Sequence, residues 1–392
     1  MALGLAILFW VFLGLAVHPY VTYPIIVLFW SILHPQQTIR KHIQPAASLI
    51  IAAFNEEETI GGRIENALEM NYPHDRLEVI IASDGSTDRT NEIVAEYARR
   101  DPRVRLLPLE RDGKSAAINA AVHQAKGEII VLSDAATRFG SDTLNQMASY
   151  FADPQVHCAV GKVTLVPRDN TAYTFSESLY WRYESRLREI EGKIGLAFIG
   201  SGPCMAVRRQ SYPLLREDAM DDLTATLLLI ADNKRILYVS DLTAYDYMDG
   251  GTNSQIRSRE RRVSLSLASI WHNRALLNPF RYPRYAFSIF SHKIFRWLLG
   301  VWLLGMLAIS VVLGIGYDIP LYRYILYGQV AFYGLASVGL LVAKTTLGRI
   351  PVLSVPMTIC VVSLAFLKGV FGFLHGAQAA RWEPATSYHA DD

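Results

Sequence analysis

The stretch "LEVIIASDGSTDRTNEIVAEYARRDPRVRLLPL", residues 77–109, decides the fold because its periodicity changes twice. It opens with an apolar run that has no polar alternation, continues at helical spacing, and ends in a second apolar run. Apolar strands of this kind are typical of sheets covered on both faces, and a helix between two of them connects parallel neighbours. The stretch therefore predicts a β-α-β unit, with Thr87 and Asp88 as caps of its helix.

The same alternation continues on both sides of this unit. Predicted strands lie at "ASLIIAA", residues 47–53, and "EIIVLSD", residues 128–134. Predicted helices lie at "EEETIGGRIENALEM", residues 56–70, and "KSAAINAAVHQA", residues 114–125. Strands separated by helices in this way predict an α/β domain with a mostly parallel sheet.

The rest of the chain is more apolar than a soluble protein requires. Of 392 residues, 51% are hydrophobic and 19% charged, and the mean hydropathy is +0.18. No Lys, Arg, Asp or Glu precedes Arg40, so residues 2–33 are predicted to form one membrane span rather than a signal peptide. Three further predicted spans are residues 297–317, 324–343 and 350–367, of which the last is either a full span or a re-entrant segment.

Basic residues near the predicted spans set an orientation. Lys and Arg favour the cytoplasmic side, and those flanking the four spans all fall on one side of the membrane. The soluble block is therefore expected to face the cytoplasm from the inner membrane of a bacterium. The predicted organisation is an N-terminal span (1–39), a cytoplasmic domain (40–256), basic amphipathic helices (257–296), C-terminal spans (297–374) and a polar tail (375–392).

Polar side chains follow three of the predicted strands. They are Phe54-Asn55-Glu56, Ser83-Asp84-Gly85-Ser86 and Ser133-Asp134. Each group taken alone fits a turn or a helix cap, but the carboxyl ends of parallel strands share one edge, where ligands bind. No GxGxxG, GxxxxGKS, HExxH or GxSxG motif is present, and Cys158, Cys204 and Cys360 lack metal-site spacing. Nothing in the sequence indicates nucleic acid as a partner.

Several motifs together resemble those of membrane-bound family 2 glycosyltransferases, which include synthases of cellulose, chitin, hyaluronan and other exopolysaccharides. The motifs occur in the family's order, and the last leads to the membrane: "SLIIAAFNEEETI", "VIIASDGSTDRT", "RDGKSAAINAA", "VLSDAATRF", "MDDLTATLLL" and "NPFRYPRYAFSIFSHKIFRWLLG". The resemblance implies a GT-A nucleotide-diphospho-sugar transferase fold. It also implies a hexosyltransferase-type enzyme that uses a nucleotide-diphosphate sugar, with a UDP-sugar as the expected donor.

The resemblance implies a metal at Asp134. In this family a DxD pair holds Mg²⁺ or Mn²⁺ against the diphosphate, and Asp134 stands at its first position. The second position is Ala136, which cannot ligate a metal. Water and phosphate oxygens could complete the coordination, another residue could substitute, or metal dependence could be weak; Asp134 as a plain turn residue is the alternative.

The resemblance also implies donor-binding residues along the rim. Asp84 matches the position that bonds the nucleoside base, while Glu56 and the Ala53–Phe54 backbone would lie beside the base and ribose. Lys114 would face the nucleotide. The other interpretation of Lys114 is a solvated lysine at the start of a helix.

The stretch "AMDDL" matches the motif written TED in the family. Asp222 then falls on the general base, Asp221 replaces Glu, and Met220 replaces Thr. Direct attack assisted by one base implies inversion at the anomeric carbon. Two adjacent acids would also favour a helix N-terminus, and both roles can coexist. The loop "GSGPCMAVRR", residues 200–209, resembles the acceptor-side loop.

The region "NSQIRSRERRVSLSLASIWHN" departs from the processive synthases. They carry QxxRW here, and neither alignment of this chain supplies the Gln, Arg and Trp together. Arg259, Arg261 and Arg262 still offer cations for a diphosphate or for lipid phosphates. An apolar face of Val263, Leu267, Ile270 and Trp271 predicts an interfacial helix on the membrane surface.

The stretch "SESLYWRYESRLREIEGKIG" has apolar residues at helical spacing: Leu179, Tyr183, Leu187 and Ile190. This stripe predicts a helix that packs against the core or faces the membrane.

These observations give one leading hypothesis and two alternatives. The leading hypothesis is an inverting glycosyltransferase acting on a glycan or lipid-linked acceptor, in polysaccharide or glycolipid biosynthesis. One alternative is a processive exopolysaccharide synthase that couples polymerisation to export, for which a second copy or an export subunit would complete a channel. The other is an inactive nucleotide-sugar-binding scaffold or regulator.

Overall fold

The computed structural model describes residues 1–167, 172–216, 218, 220–248, 252–343 and 345–376. Within them, one mixed sheet has the strand order β3-β2-β1-β4-β7-β6-β8-β5. The first four strands of this order are parallel, and β7 pairs antiparallel with both β4 and β6. The strands are β1 (Ala47–Ala53), β2 (Leu77–Asp84), β3 (Val104–Leu109), β4 (Ile129–Asp134), β5 (Arg138–Phe139), β6 (Val156–Pro167), β7 (Met205–Arg208) and β8 (Arg235–Met248).

Helices cover both faces of this sheet, as the apolar strands predict. Leu49 and Ile51 of β1 pack into one buried cluster, and Ile50 between them packs into another on the opposite face. The predicted strands and helices between residues 47 and 134 are therefore confirmed. The helices are α3 (Ile60–Leu68), α4 (Thr90–Arg100) and α6 (Thr143–Ser149) on one face, and α5 (Lys114–Gln124) and α8 (Asp221–Ala231) on the other.

The N-terminal apolar segment is bent, and the pair of helices counts either as one broken span or as a re-entrant loop, so the predicted single span stays a prediction. The segment forms α1 (Ala2–Val17) and α2 (Thr22–Leu33), which meet at 51°. The break contains Pro19, which has no N–H for a helical hydrogen bond, and His18, which bonds to Thr22 and Ser291 instead.

The long helix α7 (Ala172–Lys193) packs on α2. Leu187 and Ile190 form the buried stripe predicted from their helical spacing, and they contact Tyr23 and Val27. The surroundings of Leu179, assigned to the same stripe, lie outside the described side chains. The stripe therefore joins the soluble block to the broken N-terminal pair.

Three C-terminal helical segments are long and apolar enough to cross a membrane: Leu299–Gly316, Pro320–Leu341 and Pro351–Leu374. They comprise α12 (Leu299–Val311) with a following π-helical turn, α13 (Pro320–Leu341) and α14 (Pro351–Leu374). The re-entrant alternative for the last segment is not observed, because α14 is one continuous helix of 24 residues. Pro351 lies in its first turn, where a missing N–H costs little, and Pro356 is accommodated inside it.

The predicted interfacial helix is α9 (Thr252–His272), and its apolar face is buried inside the protein. Val263 is 3% exposed, and Ile270 is 4% exposed. A Cβ placed on Gly369 of α14 would lie 2.7 Å from Val263 Cβ, so the two helices approach closely. The expected lipid-facing surface is therefore wrong for this face, since α14 and the soluble block cover it; Trp271 alone in the predicted stripe stays 57% exposed. The short helices α10 (Pro283–Ser288) and α11 (Phe295–Trp297) connect α9 to α12.

Candidate active site

Acidic residues end two strands at the same edge of the sheet. Asp84 is the last residue of β2, and Asp134 is the last residue of β4. β1 lies between them and runs parallel to both, so Glu56, just beyond its end at Ala53, lies at the same edge. The structure therefore places the predicted polar groups along one rim, where parallel sheets bind ligands.

Asp84 is buried and held by a neighbouring loop. Its Oδ1 accepts the backbone N–H groups of Asp112 and Gly113, both at 2.9 Å. Its carboxylate also pairs with Arg111, whose guanidinium carbon lies 3.3 Å from the ring centroid of Phe54. Gly113 has φ +100°, a backbone conformation that favours glycine. The loop fixes the carboxylate predicted to meet the nucleoside base.

Lys114, the first residue of α5, bridges two carboxylates. Its Nζ lies 2.8 Å from Asp134 Oδ1 and 3.1 Å from Asp221 Oδ2. Burial alone would lower the pKa of Lys114, but the charges of Asp134 and Asp221 outweigh it and raise that pKa. The ammonium therefore stays charged between them. The alternative of a solvated lysine is wrong, because the side chain is only 19% exposed.

Asp222, the second residue of α8, lies beside this ion pair. Its Oδ2 accepts the backbone N–H of Gly202 at 3.1 Å, and its Oδ1 accepts that of Leu223 at 2.7 Å. Burial and the neighbouring charge of Asp221 raise the pKa of Asp222, which brings the carboxylate closer to the range of a useful general base. A Cβ on Gly200 would lie 2.4 Å from the backbone oxygen of Asp222, so the loop needs glycine there.

These side chains form one neighbourhood, named here the rim cluster: Asp84, Lys114, Asp134, Asp221 and Asp222. The loop before α5 is the link. Gly113 bonds Asp84 through its backbone, and the next residue carries the ammonium that reaches the other carboxylates. Residues separated by more than a hundred positions thus meet at one edge of the sheet.

Glu56 lies behind the rim. Its N–H donates to Thr90 Oγ1 at 2.8 Å, and its carboxylate accepts the hydroxyl of Thr59. Burial raises the pKa of Glu56, and the charges of Asp134 and Asp88 add to the effect despite the Thr59 bond. Glu56 is therefore electrostatically coupled to the rim, while its predicted place beside base and ribose stays a prediction.

The side chains around Asp134 fit a metal ion that is coordinated mainly by substrate phosphates and water. Among the described residues, no three His, Cys, Asp or Glu side chains gather closely enough to hold an ion. Asp134 Oδ1 carries Lys114, and its Oδ2 has no protein partner in that part of the chain. Mg²⁺ is commonly held by one or two carboxylates together with substrate phosphates and waters. The site thus suits an ion that arrives with a diphosphate, and it forms no all-protein cage.

The predicted arginines of α9 take three different positions. Arg259 is 9% exposed, with its guanidinium carbon 5.6 Å from the ring centroid of Tyr180. Arg262 is exposed and donates to Ser258. Arg261 Nε is buried without a hydrogen-bond partner. The described contacts join none of the three to the rim cluster, so their proximity to a diphosphate stays a prediction.

Two residues that support the rim were missed by sequence reasoning. Arg111 joins Asp84 to Phe54, and Ser269 of α9 accepts the N–H of Met220 at 2.9 Å, immediately before α8. Arg111 could have been found from the sequence, because it lies just before Gly113 and Lys114, in the loop that leads into a helix. Such loops at the carboxyl ends of strands face the ligand. Ser269 had no local signal.

Comparison with known proteins finds similarity to glycosyltransferases. Residues 48–214 match the family described as glycosyl transferase family 2. An N-acetylglucosaminyltransferase of Rhizobium meliloti (strain 1021) is 27% identical over 213 residues, 50% of each chain. A beta-monoglucosyldiacylglycerol synthase of Synechocystis sp. (strain ATCC 27184 / PCC 6803 / Kazusa) is 35% identical over 113 residues, 28% of this chain and 24% of that one. The chain thus spans half or less of these relatives.

The fold extends over nearly the whole chain of a solved protein. The mannosyltransferase PcManGT from Pyrobaculum calidifontis, in complex with GDP-Man and Mn2+, superposes with a TM-score of 0.65 at 20% identity. The alignment covers 94% of this chain and 99% of that one. The predicted GT-A fold with flanking helices is confirmed. Residues 48–214 are thus similar to glycosyl transferase family 2, and the described chain has a GT-A-like fold.

Proposed function

We propose that the protein is an inverting, membrane-bound glycosyltransferase that moves a sugar from a nucleotide-diphosphate donor to a lipid-linked or glycan acceptor. The observation that carries this proposal is the contact chain from Asp84 through Lys114 to Asp134 and Asp221. In this proposal Asp84 would bind the nucleoside base, Lys114 would supply the cation, and Asp222, next to Asp221, would be the general base for one bound donor. The relative named beta-monoglucosyldiacylglycerol synthase, whose product is a diacylglycerol lipid by its name, and the apolar helices support the location.

The donor would lie along the rim with its base at Asp84 and its diphosphate at Lys114. The charged ammonium would stabilise the negative charge that develops on the leaving diphosphate. Asp134 would hold Mg²⁺ or Mn²⁺ through Oδ2, and the ion when bound would supply Lewis-acid stabilisation of the same charge. A UDP-sugar is the proposed donor.

Asp222 would take the proton of the attacking acceptor hydroxyl. Its raised pKa suits this role, since a carboxylate of ordinary acidity is a weaker base. The oxygen would attack the anomeric carbon on the face opposite the diphosphate, forming the new glycosidic bond as the old bond breaks. The configuration of the transferred sugar is thereby inverted.

The chemistry of the acceptor is tested with labelled donors. Membranes containing the full chain are incubated with radiolabelled UDP-sugars, with GDP-mannose as a comparison, and lipid-extractable and polymeric products are separated. We expect a single added sugar in the lipid fraction. A long polymer ladder would contradict single transfer and support the processive alternative.

The catalytic assignment is tested by Asp222→Asn, which keeps the size of the side chain and removes the base. We expect a fall in kcat of about 10²–10⁴-fold, the usual contribution of a general base. Asp232→Asn, at an exposed aspartate just beyond the end of α8, is the matched control and should retain activity. Unchanged turnover in Asp222→Asn, with thermal stability retained, would remove Asp222 from the reaction and favour the scaffold alternative.

A further inference from the structure

A second cluster of charges lies away from the rim, where the soluble block meets α12. We name it the membrane-side network, and it consists of Glu184, Arg188 and Glu191 of α7 with His292, Lys293 and Arg296. His292 lies between the two carboxylates, with ring nitrogens 2.7 Å from Glu191 Oε1 and 3.1 Å from Glu184 Oε2. Glu184, Glu191 and Arg296 are each 1% exposed, and His292 is fully buried.

Arg296 uses only one end of its guanidinium fork. Nη1 donates to Glu184 Oε2 at 2.6 Å and to the hydroxyl of Tyr180 at 3.1 Å. Nε and Nη2 are buried, and neither has a hydrogen-bond partner among the residues that the structure describes. These two N–H groups share the other edge of the planar guanidinium, and that edge matches two oxygens of a phosphate or carboxylate.

The charge balance also favours an anion. The described part of the network holds three basic side chains, Arg188, Lys293 and Arg296, against the carboxylates of Glu184 and Glu191. Burial and the neighbouring arginines lower the pKa of Lys293 to about 8 although Glu184 opposes them. A buried excess of positive charge is costly unless an anion compensates it.

The position of Arg296 indicates where such an anion comes from. Arg296 lies three residues before α12, which is part of an apolar segment long enough to cross a membrane. Its guanidinium carbon lies 5.3 Å from the ring centroid of Tyr20, in the break between α1 and α2, and 5.9 Å from that of Tyr180. Tyrosine and arginine at the ends of spans are typical of the level of lipid headgroups.

We propose that the Nε–Nη2 edge of Arg296, which is buried in this structure, binds the phosphate group of a membrane lipid when the adjacent ring of Tyr20 moves aside at the break in the N-terminal helices. This inference rests on the membrane location proposed above and does not require transferase activity. The lipid phosphate would accept hydrogen bonds from the Nε and Nη2 groups of the guanidinium. Its negative charge would also offset the excess positive charge of the membrane-side network. Two parallel hydrogen bonds from a fork give geometric selectivity that a lysine lacks.

The test measures lipid binding to the delipidated full chain in detergent by native mass spectrometry, without any sugar nucleotide. The probes are dioleoyl phosphatidic acid, dioleoylglycerol, which lacks the phosphate, and inorganic phosphate. We expect phosphatidic acid to bind at least about tenfold more tightly than dioleoylglycerol, the equivalent of one charge-assisted hydrogen bond. Arg296→Lys, which keeps the charge and loses the fork, should abolish that preference.

Arg284→Lys is the matched control, because Arg284 is an exposed arginine stacked over Trp30 near the C-terminal end of α2, away from the break at Tyr20. It should leave the preference unchanged. Equal binding of phosphatidic acid and dioleoylglycerol to the wild-type chain would overturn the proposal, even if Arg296→Lys fails to fold. Inorganic phosphate binding as tightly as phosphatidic acid would replace the lipid with a soluble anion, and a lipid-saturated structure with only water at the Arg296 edge would also overturn it. Failure of the membrane location itself would show separately, as full chain recovered in the soluble fraction without detergent.

Discussion

The rim cluster and the membrane-side network are both built from cations that join carboxylates, yet the ion pair at the centre of each differs in exposure. Lys114 is 19% exposed and Asp134 is 32% exposed in the first, whereas Glu184 and Arg296 are each 1% exposed in the second. The Lys114–Asp134 pair joins the start of α5 to the end of β4, at the edge of the sheet where ligands bind. The network charges lie between helices, where desolvation makes every unpaired charge expensive.

This contrast separates two uses of the same chemistry. At the rim, an incoming diphosphate and metal can compete with the existing ion pairs of Lys114. Until they bind, these ion pairs keep the charged side chains in position. In the membrane-side network, removing one partner leaves another buried charge without a counter-charge. Substitutions at the rim should therefore change turnover, and substitutions in the network should change stability.

The largest effect is expected for Glu184→Gln. Glu184 faces Arg296, Arg188 and His292, so removing its charge leaves buried cations uncompensated. We expect a loss of about 3–5 kcal/mol in the free energy of unfolding, typical of breaking a buried pair on one side. Chemical unfolding of the detergent-solubilised chain measures it.

Glu189→Gln on the same helix is the control for this prediction. Glu189 pairs with Arg186 and Lys193 nearer the surface, and such pairs contribute about 0–1 kcal/mol. If both variants unfold alike, the two clusters do not differ in the way described. The rim cluster and the membrane-side network would then differ in their location in the fold and not in their contribution to stability.

A smaller effect, on turnover rather than folding, is expected for Lys114→Met. The substitution removes the cation between Asp134 and Asp221 that would meet the diphosphate. We expect kcat/KM to fall by about tenfold to a hundredfold, corresponding to a charge-assisted contact of roughly 1.5–3 kcal/mol. Lys126→Met, an exposed lysine just beyond the same helix, should be neutral in the same assay. A Lys114→Met enzyme as active as the control would place the diphosphate elsewhere.

The smallest effect is a shift in the pH profile. The pKa of Asp222 is raised by burial and by Asp221, and Lys114 lowers it in part. Since a protonated Asp222 cannot accept the acceptor proton, kcat/KM should fall on the acid side at a higher pH than for an ordinary aspartate. Lys114→Met should move this acid limb to still higher pH, because the opposing cation is gone. A shift to lower pH in that variant would contradict the assignment.

The sequence predicted the rim better than the network because their members are arranged differently along the chain. Asp84 and Asp134 each follow an apolar strand, so their place at one edge follows from strand direction alone. Glu184 and Arg296 are more than a hundred residues apart on separate helices, and neither has a local pattern that names its partner. The bend at Pro19 and the burial of α9 were missed for the same reason, since both depend on what packs against an apolar segment.

By itself, the amino-acid sequence determined the α/β alternation, the strand-end carboxylates, the apolar helical segments and the family of the domain. These features depend on local periodicity and on contiguous motifs. Only the tertiary structure decided that Lys114 turns inward between Asp134 and Asp221, that α9 is covered by α14, and that Arg296 keeps one edge unpaired. The reason is physical: the partner of a buried charge or apolar face is set by packing between distant segments, which no local pattern encodes.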